Sequence, residues 1–340
     1  MKGARVPEVA IVGAGVSGLT CGVLLAERGY RVTIFAEELG ERTTSAAAAA
    51  IWFPYDAEPA GKVIDWSLRT YEQLHMLAGQ QNTGVSMIEL RSFARHGKIP
   101  IPDWAKSLGA QRLVSSAIVE ISDREQGSGS ESVFTSGFMM IVPLTDTTRY
   151  LDYLRDRFIN AGGTITVGVH LKEIGDIPRR FEVIVNCAGI GAGELVPDRE
   201  IEPHRGQVAI VSKLDLPWAT VCDDPPLMYA IPRENDCVFG GTNSISYDRE
   251  PIRADTDRIV AECSRTLNIE PPPVIATRVG LRPFRKLGVR LEMEKLSDGR
   301  TVVHNYGHGG CGFTLSWGCA EDVLKSLSFL PDTPQVNAIA

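Results

Sequence analysis

Residues Val9 to Glu37 restrict the fold more than any other stretch of the chain. Val9 to Val12 is a short apolar run, Gly13-Ala14-Gly15-Val16-Ser17-Gly18 follows, an apolar-periodic segment continues from Val16 to Arg28 and stops at Gly29, and Arg31 to Phe35 is apolar again. Strand, glycine turn, helix and strand in that order open a βαβ unit. A GxGxxG sequence alone is only a glycine turn; between a strand and a helix it becomes specific. Gly13 and Gly15 permit a tight turn and close approach of the main chain to a pyrophosphate, whose charge sits on the helix N-terminus. Gly18 lets helix and strand pack closely. Glu37, 19 residues beyond Gly18, ends the second strand, where a carboxylate can accept both ribose hydroxyls and repels a 2′-phosphate. An adenine dinucleotide is expected here, and the motif does not choose between FAD and NAD.

The 340-residue chain as a whole reads as two interleaved domains. A helix is expected from Thr147 to Ala161 with Asp146 as N-cap and Gly162-Gly163 as its end, then a strand from Thr164 to Val169. Val183 to Cys187 is a further strand, running into Ala188-Gly189-Ile190-Gly191 as a chain does when it passes a ligand at a strand's carboxyl end. Val208 to Val211, Met228 to Ile231 and Val238 to Gly241 read as antiparallel strands, the last two joined by a turn containing Asn235-Asp236. Glu125 to Ser132 reads as an exposed loop. The expected class is α/β: a Rossmann-type domain from 1–55, 142–200 and 282–330, interleaved with an antiparallel-sheet substrate domain from 56–141 and 201–281.

Hydrophobic residues make up 44% and charged residues 23% of the chain, with a net charge of -7 and no long run of one sign, so nucleic acid is not an expected partner. No apolar stretch is long enough to cross a bilayer, which points to a soluble protein that does not insert in a membrane. The start reads as structure and not as a signal peptide, and Val336-Asn337-Ala338-Ile339-Ala340 lacks a Ser-Lys-Leu type of address, so a cytoplasmic location is expected. Seven cysteines without CxxC spacing suit reduced thiols, with one internal bridge left open.

Two further segments stand out. Thr43-Thr44-Ser45, then Ala46 to Ala50, Ile51, Trp52, Phe53, Pro54 and Tyr55, suits main-chain contact with phosphates and a flat ring, or equally a buried alanine helix. His304-Asn305-Tyr306-Gly307-His308-Gly309-Gly310-Cys311-Gly312-Phe313-Thr314 holds four glycines, too many for a helix or a regular strand, so something approaches its backbone. The same glycines preclude the helix that would align His304 with His308, and no metal site is expected.

This last segment, continued by Leu315-Ser316-Trp317-Gly318-Cys319-Ala320, closely resembles the end of the D-amino acid oxidase family. Thr43 to Tyr55, Val185-Asn186-Cys187-Ala188-Gly189, His204-Arg205-Gly206-Gln207 and Arg278-Val279-Gly280-Leu281-Arg282-Pro283 resemble it too, so the likeness runs through the whole chain. It implies FAD, and with no cysteine or histidine clearly placed for covalent attachment, noncovalent binding is expected. The glycine motif, Glu37, Glu38, Thr43, Thr44, Ser45, Ala49, Ala50, Ile51, Cys187, Ala188, Gly189 and Gly310 would bind the cofactor. Gly309, Gly312, Phe313 and Thr314 would lie near the flavin and Leu171 near the adenosine half. It also implies that Arg282 binds a substrate carboxylate bidentately, Tyr229 adds a hydroxyl to it, and the carbonyl of Gly310 accepts from the amine. The α-hydrogen would pass as hydride to flavin N5, molecular oxygen would become hydrogen peroxide, and the imino acid would hydrolyse to a 2-oxo acid and ammonia.

Eukaryotic members of that family carry a second tyrosine four residues before the carboxylate-binding one, on a mobile lid. Here that position is Pro225, and a truncated lid is expected. Members specific for acidic substrates place an arginine after the Gly-Gly-Thr of the hairpin, where this chain has Asn243 and Ser244, so neutral side chains are expected against a wall of Ile51, Phe53, Met228 and Thr242. A glycine or sarcosine type of amine oxidase, a D-aspartate oxidase, a D-amino acid dehydrogenase and an inactive flavin-binding protein are the alternatives. A homodimer is compatible with the sequence.

Overall fold

The computed structural model describes residues 6–55, 57–114 and 133–328. The expected loop Glu125 to Ser132 and the C-terminal Val336 to Ala340 lie outside the described residues.

The chain opens with β1 (Glu8–Val12), α1 (Val16–Glu27) and β2 (Arg31–Ala36). Parallel strands need a crossover, and α1 supplies it: β1 pairs parallel with β2 on one side and with β7 (Val183–Asn186) on the other. Next come α2 (Ala60–Ala78), β3 (Val85–Ala94), α3 (Asp103–Ser107), β4 (Gln111–Arg112), β5 (Ser136–Thr145), α4 (Thr147–Asn160) and β6 (Thr164–Val167). After β7 come α5 (Ala192–Leu195), β8 (Ile201–Ser212), β9 (Ala219–Cys222), β10 (Met228–Pro232), β11 (Asp236–Gly240), β12 (Ser244–Ile245) and α6 (Arg253–Leu267). Then β13 (Val274–Arg285), β14 (Arg290–Lys295), β15 (Thr301–Tyr306) and α7 (Gly312–Leu327) close the described chain.

The strands sort into two sheets. Six form the order β14-β15-β7-β1-β2-β6, parallel except for the edge strand β14. Nine form a second sheet, β12-β8-β11-β10-β9-β3-β5-β4, with β13 on β8. Apart from the parallel pair β3 and β9, its ladders are antiparallel. The parallel sheet draws on three separated stretches of sequence. The chain leaves the antiparallel sheet at the ends of β5 and β13, a few residues beyond 142 and 282.

Packing explains the order. Val9, Ile11, Leu19, Val23, Ile34, Phe158 and Trp317 are buried in one large cluster, so α1, α4 and α7 cover the parallel sheet. Phe93, Val211, Met228, Ala230, Phe239 and Ile259 build a second cluster, between α6 and the far face of the antiparallel sheet. Helix α4 starts after Asp146, but that side chain makes no capping bond to the helix amides; its Oδ1 accepts from the Thr148 hydroxyl instead, at 2.9 Å. All seven cysteines are buried and none forms a disulfide.

Candidate active site

Between the two sheets lies a cavity of about 890 Å³. At one end the glycine turn forms its floor. Gly15 precedes the first turn of α1 with no side-chain cap, so the first amides of the helix have no intrahelical acceptor. The Val16 amide is taken by Ser45 Oγ at 3.0 Å, and Ser17 lines the cavity. An anion placed there meets the positive end of the helix. Gly13 adopts φ 101° and has no room for a Cβ against the Cys187 carbonyl, while Gly18 has none against the Gly13 carbonyl. These contacts bring β1, α1 and the end of β7 together, which is the close packing expected of the motif.

The alanine segment is not a helix. Thr44–Ala47 makes a single 3-10 turn and the chain then extends, with Ala50 at φ 54°. Thr44 Oγ1 accepts from the Leu281 amide at 3.3 Å and donates to the Leu281 carbonyl at 3.2 Å, while Arg278 reaches the Ala46 carbonyl at 3.0 Å. Stitched to β13, the segment presents Thr43, Thr44, Ser45 and Ala47 to Ile51 to the cavity. Cys187, Ala188 and Gly189 line it from the end of β7, and Gly309, Gly310, Gly312, Phe313 and Thr314 from the turn before α7. Glu37 and Glu38 also line it; Glu37 is 3.1 Å from His170 Nδ1, and Glu38 is ion-paired to Arg249 at 2.8 Å. Main-chain amides, small residues and a helix N-terminus along one elongated cavity fit an extended dinucleotide with a flat ring.

At the opposite end Arg282, Tyr229 and Gly310 come together with Phe53 and Ile51. Each polar group stands where glycine leaves space. A Cβ on Gly206 would meet the Arg282 guanidinium, one on Gly240 would meet the Tyr229 ring, and one on Gly310 would meet the hydroxyl of Tyr55. Gly206 and Gly240 interrupt strands, the usual mark of a close approach. Arg282 Nη1 donates to the Thr242 carbonyl at 3.0 Å, which holds the plane of the fork. Burial pushes both the Tyr55 and the Tyr229 phenol up, against the opposing pull of Arg282, so both stay protonated and able to donate.

Four expected site residues lie off the cavity wall. Met228 is fully buried in the second core: alternation turns Tyr229 toward the cavity and its neighbours away. Thr242 faces the strand behind, its Oγ1 accepting from the Gln207 amide at 2.8 Å, and serves through its carbonyl. Gly18 packs behind the turn. Leu171 joins the small cluster of Phe35, Phe181 and Ile184, while the preceding His170 makes the contact to Glu37. Conversely, Tyr55, Asp223, Leu227 and Arg249 line the cavity without having been singled out, and His308, weighed only as a metal ligand, lines it too. Tyr55 ended the quoted alanine segment, but nothing in its spacing showed that its ring turns inward.

Burial lowers His308 to about 4, and its Nε2 lies 3.0 Å from Asn305 Oδ1. The folded protein therefore holds it neutral. The unfolded chain binds the extra proton first, so this group's contribution to stability is complete above about pH 6.5 and is lost as pH falls toward 4. The loss amounts to about 3 kcal/mol at most. Denaturant unfolding at pH 7 and pH 4.5 should show a larger acid loss for the wild type than for His308→Gln. Gly206→Ala should displace the Arg282 fork and raise KM at least about tenfold, as expected for losing a charge-assisted pair, while bound-cofactor absorbance changes little; steady-state kinetics and absorbance spectra check both.

Residues 8–325 match the model of a family described as FAD dependent oxidoreductase. A D-amino-acid oxidase of Rubrobacter xylanophilus is 38% identical over 95% of this chain and 96% of its own. One of Streptomyces coelicolor is 38% identical over 94% of this chain and 97% of its own. Among solved structures, glycine oxidase from Geobacillus kaustophilus superposes with a TM-score of 0.77 over 98% of this chain and all of its own, at 18% identity, a likeness of fold. With the dinucleotide turn and the cavity agreeing with these matches, the chain belongs to the FAD dependent oxidoreductase family.

Proposed function

We propose that this protein is a D-amino-acid oxidase, acting on a free D-amino acid with molecular oxygen as electron acceptor. The observation that carries the reading is the meeting of Arg282, Tyr229, Tyr55 and the Gly310 main chain in the same cavity that the dinucleotide turn lines. The similarity to enzymes named D-amino-acid oxidase over nearly the whole chain supports it.

The residues divide the work. Arg282, anchored through Thr242, presents its fork to the α-carboxylate. The Tyr229 and Tyr55 phenols donate to the same carboxylate. The Gly310 carbonyl accepts from the α-amine, and with both polar ends of the substrate gripped the α-hydrogen has one direction left. FAD would be held by the α1 N-terminus, Ser45, the extended alanine segment, Glu37 and the turn before α7, and it supplies the two-electron redox chemistry that converts the amino acid to an imino acid and oxygen to hydrogen peroxide. Catalysis then asks for orientation and exclusion of water more than for a protein acid or base. Ile51, Phe53, Leu90, Val221, Leu227 and Ile231 offer the side chain an apolar wall.

Strands β9 and β10 are joined only by Asp223 to Leu227, in keeping with a truncated lid. The seven buried thiols, none of them in a disulfide, fit a reducing compartment and a cytoplasmic enzyme.

Substrate-dependent peroxide should appear in air with D-amino acids and not with their L enantiomers. Activity with glycine or sarcosine alone would favour an amine oxidase, and turnover without peroxide a dehydrogenase. Arg282→Ala should remove most turnover, by at least about a hundredfold, while the bound-flavin spectrum persists; wild-type turnover would place the carboxylate clamp elsewhere. Acid precipitation should release the yellow colour into the supernatant, as expected of noncovalent FAD.

A further inference from the structure

We infer that Asp223 makes the side-chain pocket selective for D-amino acids that end in a cation, such as D-arginine, D-lysine and D-ornithine. The inference rests on the oxidase reading above and narrows its substrate class. It departs from the neutral preference expected from Asn243 and Ser244, because the charge comes from a different segment.

The hairpin register places the carboxylate. Val221 of β9 lies opposite Tyr229 of β10, and Cys222 opposite Met228. Alternation therefore puts Val221 and Asp223 on one face with Leu227, Tyr229 and Ile231, and all five line the cavity. The residues between them, Cys222, Met228 and Ala230, fill the core behind. Asp223 stands two residues beyond the Val221–Tyr229 row, about 7 Å further along the strand. It remains close enough to the clamp for its negative charge to push both the Tyr55 and the Tyr229 phenol up.

The segment that carries Asp223 is tied down through Arg95. Asp224 Oδ2 accepts from the Arg95 amide at 2.7 Å, and the Pro226 carbonyl accepts from the Arg95 guanidinium at 3.0 Å. Arg95 is itself buried and ion-paired with Glu262 at 2.7 Å. The connection is thus a fixed rim of the pocket, with Asp223 presented from it.

A substrate's carboxylate is matched by Arg282 and its α-amine by the Gly310 carbonyl. The aliphatic wall suits a methylene stem, and a carboxylate about two residues farther out suits a cationic head on that stem. An acidic side chain would bring a like charge to the same place, which discriminates against it as well as in favour of the cation.

The test compares D-arginine with D-citrulline, nearly the same shape without the charge, on the flavin-loaded enzyme. Wild type should show the higher kcat/KM for D-arginine. Asp223→Asn should lower the D-arginine to D-citrulline ratio by up to about fivefold, the size of a partly exposed ion pair, chiefly through the KM for D-arginine. Asp223→Lys should shift preference toward D-glutamate, and flavin absorbance confirms that both variants fold. An unchanged ratio in Asp223→Asn, or a wild-type preference for D-citrulline, overturns the assignment while leaving the oxidase reading standing. Absence of turnover with every D-amino acid overturns both.

Discussion

Strand β13 runs antiparallel to β8 over nearly its whole length, with Arg282 opposite His204 and Gly280 opposite Gly206, and this ladder holds the two ends of the cavity in register. At Leu281 the strand bonds to Thr44 of the cofactor segment. At Arg282 it carries the guanidinium over Gly206. At Pro283 its carbonyl accepts from the Gly309 amide at 2.9 Å. Three consecutive residues thus join the alanine segment, the Arg282 guanidinium and the glycine-rich turn. A slip of one residue would turn Arg282 to the opposite face of the sheet.

Support for this ladder is polar as well as apolar. Arg205, almost fully buried on β8, donates to the Asp248 and Glu250 carbonyls at 3.0 and 2.7 Å and to Gln207 Oε1 at 2.9 Å. Gln207 in turn holds both main-chain groups of Ile252, with its Oε1 accepting at 2.8 Å and its Nε2 donating at 2.7 Å. Buried polar groups joined in this way fix one geometry for the loop that follows Thr242, and Thr242 anchors Arg282. The clamp is therefore held by main chain and buried side chains and owes little to the exposed surface.

Glycine has two different duties in the molecule. In the dinucleotide turn it lets main chains meet and leaves the end of a helix open to an anion. On β8 and β11 it makes room for a side chain from a neighbouring strand, so that a fork and a ring can lie flat against the sheet. Both uses need the absence of a Cβ, and only the first follows a spacing rule that can be recognised locally.

The sequence alone determined the βαβ opening, the parallel strand at Val183 and the hairpin from Met228 to Gly240, because apolar periodicity, glycine stops and turn residues are local signals. It also singled out Arg282, Tyr229 and the glycine-rich segment before α7, through a likeness that spans the chain. Tertiary structure alone decided that Ala46 to Ala50 leaves a single 3-10 turn and then extends, when alanine by itself favours a helix, and that Met228 turns into the core while Asp223 turns into the cavity. The strand phase that sorts those two residues is set by pairing with a partner strand. Tyr55 and Arg249 reach the cavity from segments distant in the chain, so their places follow from how the two sheets pack together, which no local pattern encodes.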